Sequence, residues 1–520
     1  VSRRAELLAR RWDAVVVGAG HNGLACAAYL ARGGRRVVVL ERRPIVGGAA
    51  AIEEPWPGYR VSPCAYLAGL LHPRVIEDLD LRRHGLRVSL LDPQMFVPVE
   101  PGISLVEWRD LDRTLDGLRR WAPDQVPGYR AMSEFWQEIN LALRPPDATD
   151  VWLRPAPSRE EIEARVGHDP ARVRALFEES VVEHLSRFLT DERLVDALAS
   201  QGIIGTNASP HDPGTAFIRY HHASGRLEGG SGDWGFVHGG IGMVSETLRS
   251  AAEEAGAVVL TDAEVAAVLP GRGVELVSGE TVAARAVVAN ADPRRTLGLI
   301  HPDEVPSEFA RRVEAWPTGG RSAKFNAALS ALPVFNGDPI SSRGQVDVGP
   351  GAAGLHASHR AAARGEMGEV WAELYFQTAY DPSVAPAGKH VMSAFVQYVP
   401  YRWADGRSWD EHRSEVAAAV TAAIERWSPG FASLVEAIEV SGPPDIEAKI
   451  GLTGGHIFQG DCLPEFMFDR RMPYATPVEG VYLCGAATHP GGSVIGVNGR
   501  NAALRVLDDL DRTASTAGVR

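Results

Sequence analysis

Residues 12–50 read WDAVVVGAGHNGLACAAYLARGGRRVVVLERRPIVGGAA, and the order of elements within them sets the fold class. Asp13 to Val17 is a short apolar run of the kind that fills a parallel strand buried on both faces. Gly18, Gly20 and Gly23 follow as G-x-G-x-x-G, with Ala19 and Asn22 inside the turn. Leu24 to Ala31 is a small-residue helix, and Val37 to Leu40 is a second buried strand closing on Glu41. Gly18 permits the tight turn, Gly20 lets the backbone approach a pyrophosphate, and Gly23 lets helix and strand pack closely. The helix N-terminus adds free N–H groups and the positive end of a dipole. Glu41 stands where a carboxylate accepts hydrogen bonds from both ribose hydroxyls of a dinucleotide, and its charge disfavours a 2′-phosphate and hence NADP. A β–α turn without a ligand would account for the first two glycines. It accounts for neither Glu41 nor the second pair, Gly47 and Gly48.

The chain has 520 residues, 45% hydrophobic and 23% charged, which leaves room for two or three domains around a large core. Its net charge is -13 with no long basic block, so nucleic acid is not an expected partner. No apolar run reaches the roughly 18–20 residues that span a bilayer. The opening residues, with Arg3, Arg4, Arg10 and Arg11, read as a basic helical turn rather than a signal peptide. The four cysteines, Cys26, Cys64, Cys462 and Cys484, form no C-x-x-C pair. That excludes a dithiol redox motif and a metal knuckle, fits a reducing cytoplasmic compartment, and leaves the thiols as small buried hydrophobes. His221 and His222 are adjacent, but no cysteine or carboxylate nearby completes a ligand set, so no metal is assigned.

Past the first unit, Glu53 to Leu71, punctuated by Pro and Gly, is a loop or extended segment before a short helix, and residues 81–106 hold a few short strands. Asp110 to Leu143 and Arg159 to Gln201 are largely helical, with a proline-rich connector between them. A glycine-rich tract, Gly225 to Gly242, opens a helix, and strands follow at Val258 to Leu260, Ala263 to Leu269, Val274 to Val277 and Ala284 to Ala289. Asn290 to Pro293 end the last strand and begin a helix, as at the ligand-binding edge of a parallel sheet. Ser322 to Leu332, Glu369 to Phe376 and His390 to Val399 form a second sheet, with helices expected at Trp409 to Trp427 and Gly430 to Ile438. At the far end, Val481 to Cys484 is a strand, Gly485 and Ala486 end it, and Gly491 and Gly492 permit another close backbone approach. Ala503, Val506, Leu507 and Leu510 then mark a helix whose N-terminus can stabilise negative charge on a reduced cofactor.

The tail Arg42-Arg43-Pro44-Ile45-Val46-Gly47-Gly48-Ala49 resembles the extended dinucleotide motif of the large FAD-dependent oxidoreductase group. Paired with YLCGAATHPGGSVIGVNGRNAA at residues 482–503, and with Asp233 to Phe236 and Val287 to Pro293 between, it resembles the phytoene-desaturase-like FAD oxidoreductases. The resemblance covers most of the chain and is weakest from about 110 to 200. It implies an α/β fold: a Rossmann-type, p-hydroxybenzoate-hydroxylase-like FAD-binding domain with an inserted α+β substrate domain and a helical cap. The corresponding division is 1–110 (FAD domain, first part), 111–224 (cap and substrate domain, first part), 225–300 (FAD domain, second part), 301–454 (substrate domain, second part) and 455–520 (FAD domain, closure). It also implies non-covalent FAD, with Gly48 near the flavin end, Val265 meeting the adenine through its backbone, and Asn290, Gly485, Ala486, Gly492, Val494 and Ile495 at the cofactor. The reaction implied is removal, or isomerisation, of hydrogens at a C–C or C–N bond, for which the flavin supplies the redox chemistry.

Three residues are the candidates for chemistry. Lys324 lies on a strand similar to the one whose lysine holds a water against the flavin in amine oxidases; the alternative is an exposed strand lysine. His489, between the last strand and helix, and His456, in a glycine-rich segment, are each a candidate base or a structural histidine. Three activities stay open: dehydrogenation or desaturation of an apolar or amphipathic small molecule, an amine-oxidase-type reaction with oxygen, or a redox-silent FAD-stabilised interaction protein. The expected partner is the small-molecule substrate. No strongly basic amphipathic helix indicates membrane docking, and the oligomeric state is unspecified, a homodimer being compatible.

Overall fold

A computed structural model describes residues 3–230 and 232–517. Its first sheet has a parallel core in the order Val258–Leu260, Val37–Leu40, Trp12–Val17, Thr281–Ala289, Val481–Leu483. Strands Val265–Leu269 and Gly273–Leu276 extend it antiparallel from the first residues of Thr281–Ala289. Helix His21–Arg32 follows the first strand and packs against both Met243–Glu254 and Val497–Ala517. The need for small residues there is steric. A Cβ on Gly499 would lie 2.0 Å from the Asn22 carbonyl oxygen, so helices His21–Arg32 and Val497–Ala517 cross with backbone nearly touching. The two ends of the chain thus build one layer of one domain.

The second sheet runs in the order Val435–Ser441, Ser322–Leu329, His390–Gln397, Trp371–Tyr375, Gln345–Val348, Met95–Glu100, Ile103–Glu107. All its pairs are antiparallel except Gln345–Val348 with Met95–Glu100. Phe325, Ala327 and Leu329 point to one face and pack with Val416, Val420 and Ile424 of helix Trp409–Glu425. The alternation then sends Lys324 and Asn326 to the other face.

Two sequence expectations change here. Residues 95–107, grouped in sequence with the first part of the FAD domain (1–110), are the outer strands of the substrate sheet. Residues 430–438 are not a helix: only Phe431–Leu434 is helical, and Val435–Ser441 is a strand. Its alternating VEAIEV has the period of a half-exposed edge strand rather than of a helix, and antiparallel pairing with Ser322–Leu329 satisfies its backbone groups along one side.

The cap helices, including Val126–Leu143 and Thr215–Ala223, come in the chain between Ile103–Glu107 of the second sheet and Val258–Leu260 of the first. Their starts are written in local chemistry: Ser158 and Ser180 make capping boxes, and Asp110, Asp169 and Asp191 accept from first-turn N–H groups. Buried Asp150 ties the cap to the Rossmann core, accepting from Arg144 Nε at 2.8 Å and pairing with His72 Nε2 at 3.1 Å.

Candidate active site

A cavity of about 910 Å³ opens where the Rossmann edge, the substrate sheet and the cap meet. Gly18, Gly20, Gly47 and Gly48 form its floor on the Rossmann side. Gly18 and Gly47 have φ of 97° and 114°, a left-handed conformation that side chains resist. Gly20 bridges Gly47, and a Cβ on Gly48 would sit 3.5 Å from the Gly20 Cα, so two bare backbones line a slot. A Cβ on Gly23 would lie 2.2 Å from the Gly18 carbonyl oxygen, which fixes the helix against the turn.

Glu41 is buried, and its carboxylate accepts from Ala19 N–H at 2.8 Å and Arg43 N–H at 2.9 Å. A carboxylate has about four lone-pair directions, so two remain for a ribose facing it. His21 Nε2 on the same wall is buried without a partner among the described residues. A bare slot at a helix N-terminus, an acid beside it and an unpaired ring nitrogen suit a dinucleotide such as FAD. Asn22, Ala49, Val265, Asn290, Ala486 and Val494 also line the cavity.

Other expected cofactor contacts have different tasks. Arg42 donates to the carbonyls of Ala448 and Lys449 at 3.0 and 2.7 Å, and Arg43 pairs with Glu53; both line the cavity while holding neighbouring protein. Gly485, expected at the cofactor, and Gly492, expected to permit a close backbone approach, each make room for a side chain of the protein. Their Cβ positions would lie 2.3 Å from Gln459 Oε1 and 2.2 Å from Phe458 Cβ, and Gln459 and Phe458 are the residues that reach the cavity. Ile495 is buried behind the wall, where its carbonyl accepts from His72 N–H at 3.2 Å.

The catalytic candidates separate clearly. Lys324 is not an exposed strand lysine: it is 3% exposed, lines the cavity, and sits 4.3 Å over the Tyr66 ring. Its Nζ has no hydrogen-bond partner among the described residues. Burial pushes its ammonium down to about 7, against the opposing pull of nearby groups including the Glu373 and Glu439 carboxylates. His489 and His456 do not reach the cavity. His489 is 3% exposed with Nε2 2.9 Å from the Val151 carbonyl, and burial lowers it to about 4. His456 Nδ1 accepts from Phe458 N–H at 3.3 Å, and burial lowers it also. Both rings hold neighbouring backbone in place, which is a structural task.

The structure adds a row of polar groups that sequence reasoning missed. In the sheet register Lys324 pairs with Phe395, Phe395 with Glu373, and Glu373 with Asp347, so all four share the cavity-side face. Glu373 accepts from Tyr66 Oη at 2.9 Å, and the Tyr66 and Tyr375 rings stack at 4.4 Å. Asp347 accepts from Ser200 Oγ at 3.1 Å and Gln201 Nε2 at 2.9 Å. Burial raises both carboxyls, and the neighbouring Asp347 charge raises Glu373 further. The signal was a lone acid in each of two apolar strands, Trp371–Tyr375 and Gln345–Val348.

A sequence profile described as flavin containing amine oxidoreductase matches residues 159–507, and one described as NAD(P)-binding Rossmann-like domain matches 16–76. The chain belongs to the flavin-containing amine oxidoreductase family, and is an FAD-dependent oxidoreductase of the amine oxidase and carotenoid desaturase superfamily. It is 35% identical to mouse (Mus musculus) pyridine nucleotide-disulfide oxidoreductase domain-containing protein 2, over 96% of this chain and 94% of that one. It is 22% identical to 4,4'-diapolycopen-4-al dehydrogenase of Metabacillus indicus, over 92% and 93%. Among solved structures it shares the fold of cyclohexylamine oxidase from Brevibacterium oxydans, with a TM-score of 0.57, 18% identity, and coverage of 96% and 100%. Despite the mouse protein's name, all four cysteines here are free.

Proposed function

We propose that this protein dehydrogenates an apolar or amphipathic small molecule, with FAD held non-covalently between the glycine floor and the substrate sheet. The observation that carries this reading is the continuity of one cavity, from Gly20, Gly48 and Glu41 to Lys324, Tyr66 and Glu373. When bound, FAD supplies the acceptor for a hydride from a substrate C–H bond. The chain's part is to bind, orient and keep dry. Glu41 and the turn N–H groups hold the adenosine and phosphates. Trp136, Tyr220, Trp234 and Phe395 line the cavity and exclude water, which strengthens every polar contact inside it. With a pKa of about 7, Lys324 Nζ can take or release a proton at neutral pH beside the reacting position.

The test is an absorbance spectrum of purified protein before and after heat denaturation, followed by anaerobic addition of candidate saturated precursors, alkenes and amines. Bands near about 370 and 450 nm, released on heating and bleached by a substrate, are the expected result. A colourless protein that regains neither band with added FAD overturns the reading. Lys324 also favours a second reading, oxidation of an amine with oxygen as acceptor. Stoichiometric hydrogen peroxide on turnover would select it; reoxidation by a quinone alone would reject it.

A further inference from the structure

Helix Thr215–Ala223 is almost entirely interior, and its residues Arg219, Tyr220, His222 and Ala223 face the cavity from the cap side. Opposite runs one face of helix Val126–Leu143, carrying Tyr129, Ser133, Trp136 and Asn140 at helical spacing. The Trp136 and Tyr220 rings stack at 5.6 Å across the two helices. Into this aromatic chamber the sequence places one guanidinium. Arg219 makes no hydrogen bond and no ion pair with any described residue, and its Nε is buried without a partner.

That is unusual within this cavity. Arg42 is held by the Ala448 and Lys449 carbonyls, Arg43 by Glu53, Arg109 by Asp233, and Arg295 by the Glu447 carbonyl at 3.3 Å. The acid on the cap side of the wall, Glu107, is hydrogen-bonded by Tyr129 Oη and makes no ion pair with Arg219. A guanidinium stays charged in any protein environment, and although Arg219 is half-buried overall, burying its Nε without a partner is costly. A cavity that keeps five donors in a planar fork at its aromatic end is built to receive a planar anion.

We infer that Arg219 is a substrate-anchoring residue, and that the substrate is an amphipathic organic acid. Its carboxylate is read by Arg219 in the cap, and its apolar body lies along Trp136 and Tyr220 toward Lys324. This rests on the proposed function in taking the same cavity as the substrate site. It adds a class: carboxylates, not neutral hydrocarbons or cationic amines.

The test is a titration of the flavin-loaded protein with decanoate, decan-1-ol and decylamine, three probes of equal chain length, read by tryptophan fluorescence. Decanoate should bind at least about tenfold tighter than decan-1-ol, as expected for charge-assisted hydrogen bonds in a dry site. Arg219→Gln should bring the two within about twofold without changing decan-1-ol affinity, and Arg219→Lys should keep part of the preference. Failure of decanoate to bind the wild type, equal binding of the three probes, or a preference that survives Arg219→Gln overturns the inference. Flavin absorbance in the same cuvette judges the other reading separately. A colourless protein that still prefers decanoate removes the flavin chemistry and leaves the anchor standing.

Discussion

Lys324 and Glu373 lie two strands apart on one face, and burial moves their protons in opposite senses. Below about pH 7 the folded chain carries a buried ammonium at Lys324. Between there and the ordinary lysine value the unfolded chain stays protonated while the folded one does not, so stability rises with pH over that window. Replacing the side chain by Lys324→Met should therefore stabilise the fold, on the order of a few kcal/mol at about pH 6 and less at about pH 9.5. Thermal unfolding at the two pH values checks this, and an advantage that does not shrink refutes it. Glu373 has the opposite slope. Its raised pKa makes the folded chain hold a proton that the unfolded chain has released, so stability falls as pH climbs from the usual carboxylate range through the raised value. Glu373→Gln should flatten that fall in a melting series from about pH 6 to 9. Both variants should reduce turnover if the cavity face between them holds the substrate.

At the scale of the element, two neighbouring glycines in the first turn should fail differently. A Cβ on Gly20 meets Asn290 Nδ2 at 2.6 Å, the end of a side chain that can swing away. Gly20→Ala should leave the melting temperature nearly unchanged and lower the flavin content, because the methyl enters the bare slot. A Cβ on Gly23 meets backbone, the Gly18 carbonyl, which cannot move without parting helix from strand. Gly23→Ala should lose both flavin and stability, the latter by about 1–3 kcal/mol as for other overpacked sites. The ratio of absorbance near about 450 nm to that of protein, with a melting curve, separates the two. These glycines were legible because their spacing states a steric requirement. What meets Gly485 and Gly492 was not legible, because a glycine marks a close approach without saying what approaches. Here it is Gln459 and Phe458, from a loop not adjacent in sequence.

At the scale of the whole molecule, the cavity is assembled from both ends of the chain, the inserted sheet and the cap, so filling it should stabilise all of them together. Removal of FAD should lower the melting temperature as a single transition, and added FAD should restore it, by about 2.7 kcal/mol at a hundredfold excess over Kd. FMN should restore much less if Glu41 and Val265, which both line the cavity, meet the adenosine half as proposed, because FMN lacks that half. Equal rescue by the two flavins would contradict that assignment. The amino-acid sequence by itself determined the Rossmann core, the acid at the end of its second strand, the helical caps and the strand bearing Lys324. These depend on spacing within a dozen or so residues, where periodicity and turn chemistry act directly. Only the tertiary structure decided that residues 95–107 and 435–441 complete the second sheet, that His456 and His489 lie behind the wall, and that Lys324, Glu373 and Asp347 form one row. It also decided that Arg219 stands unpaired among the described residues beside Trp136 and Tyr220. Strand pairing, burial and the presence or absence of a partner are set by segments far apart in the chain, and no local pattern records which of them will meet.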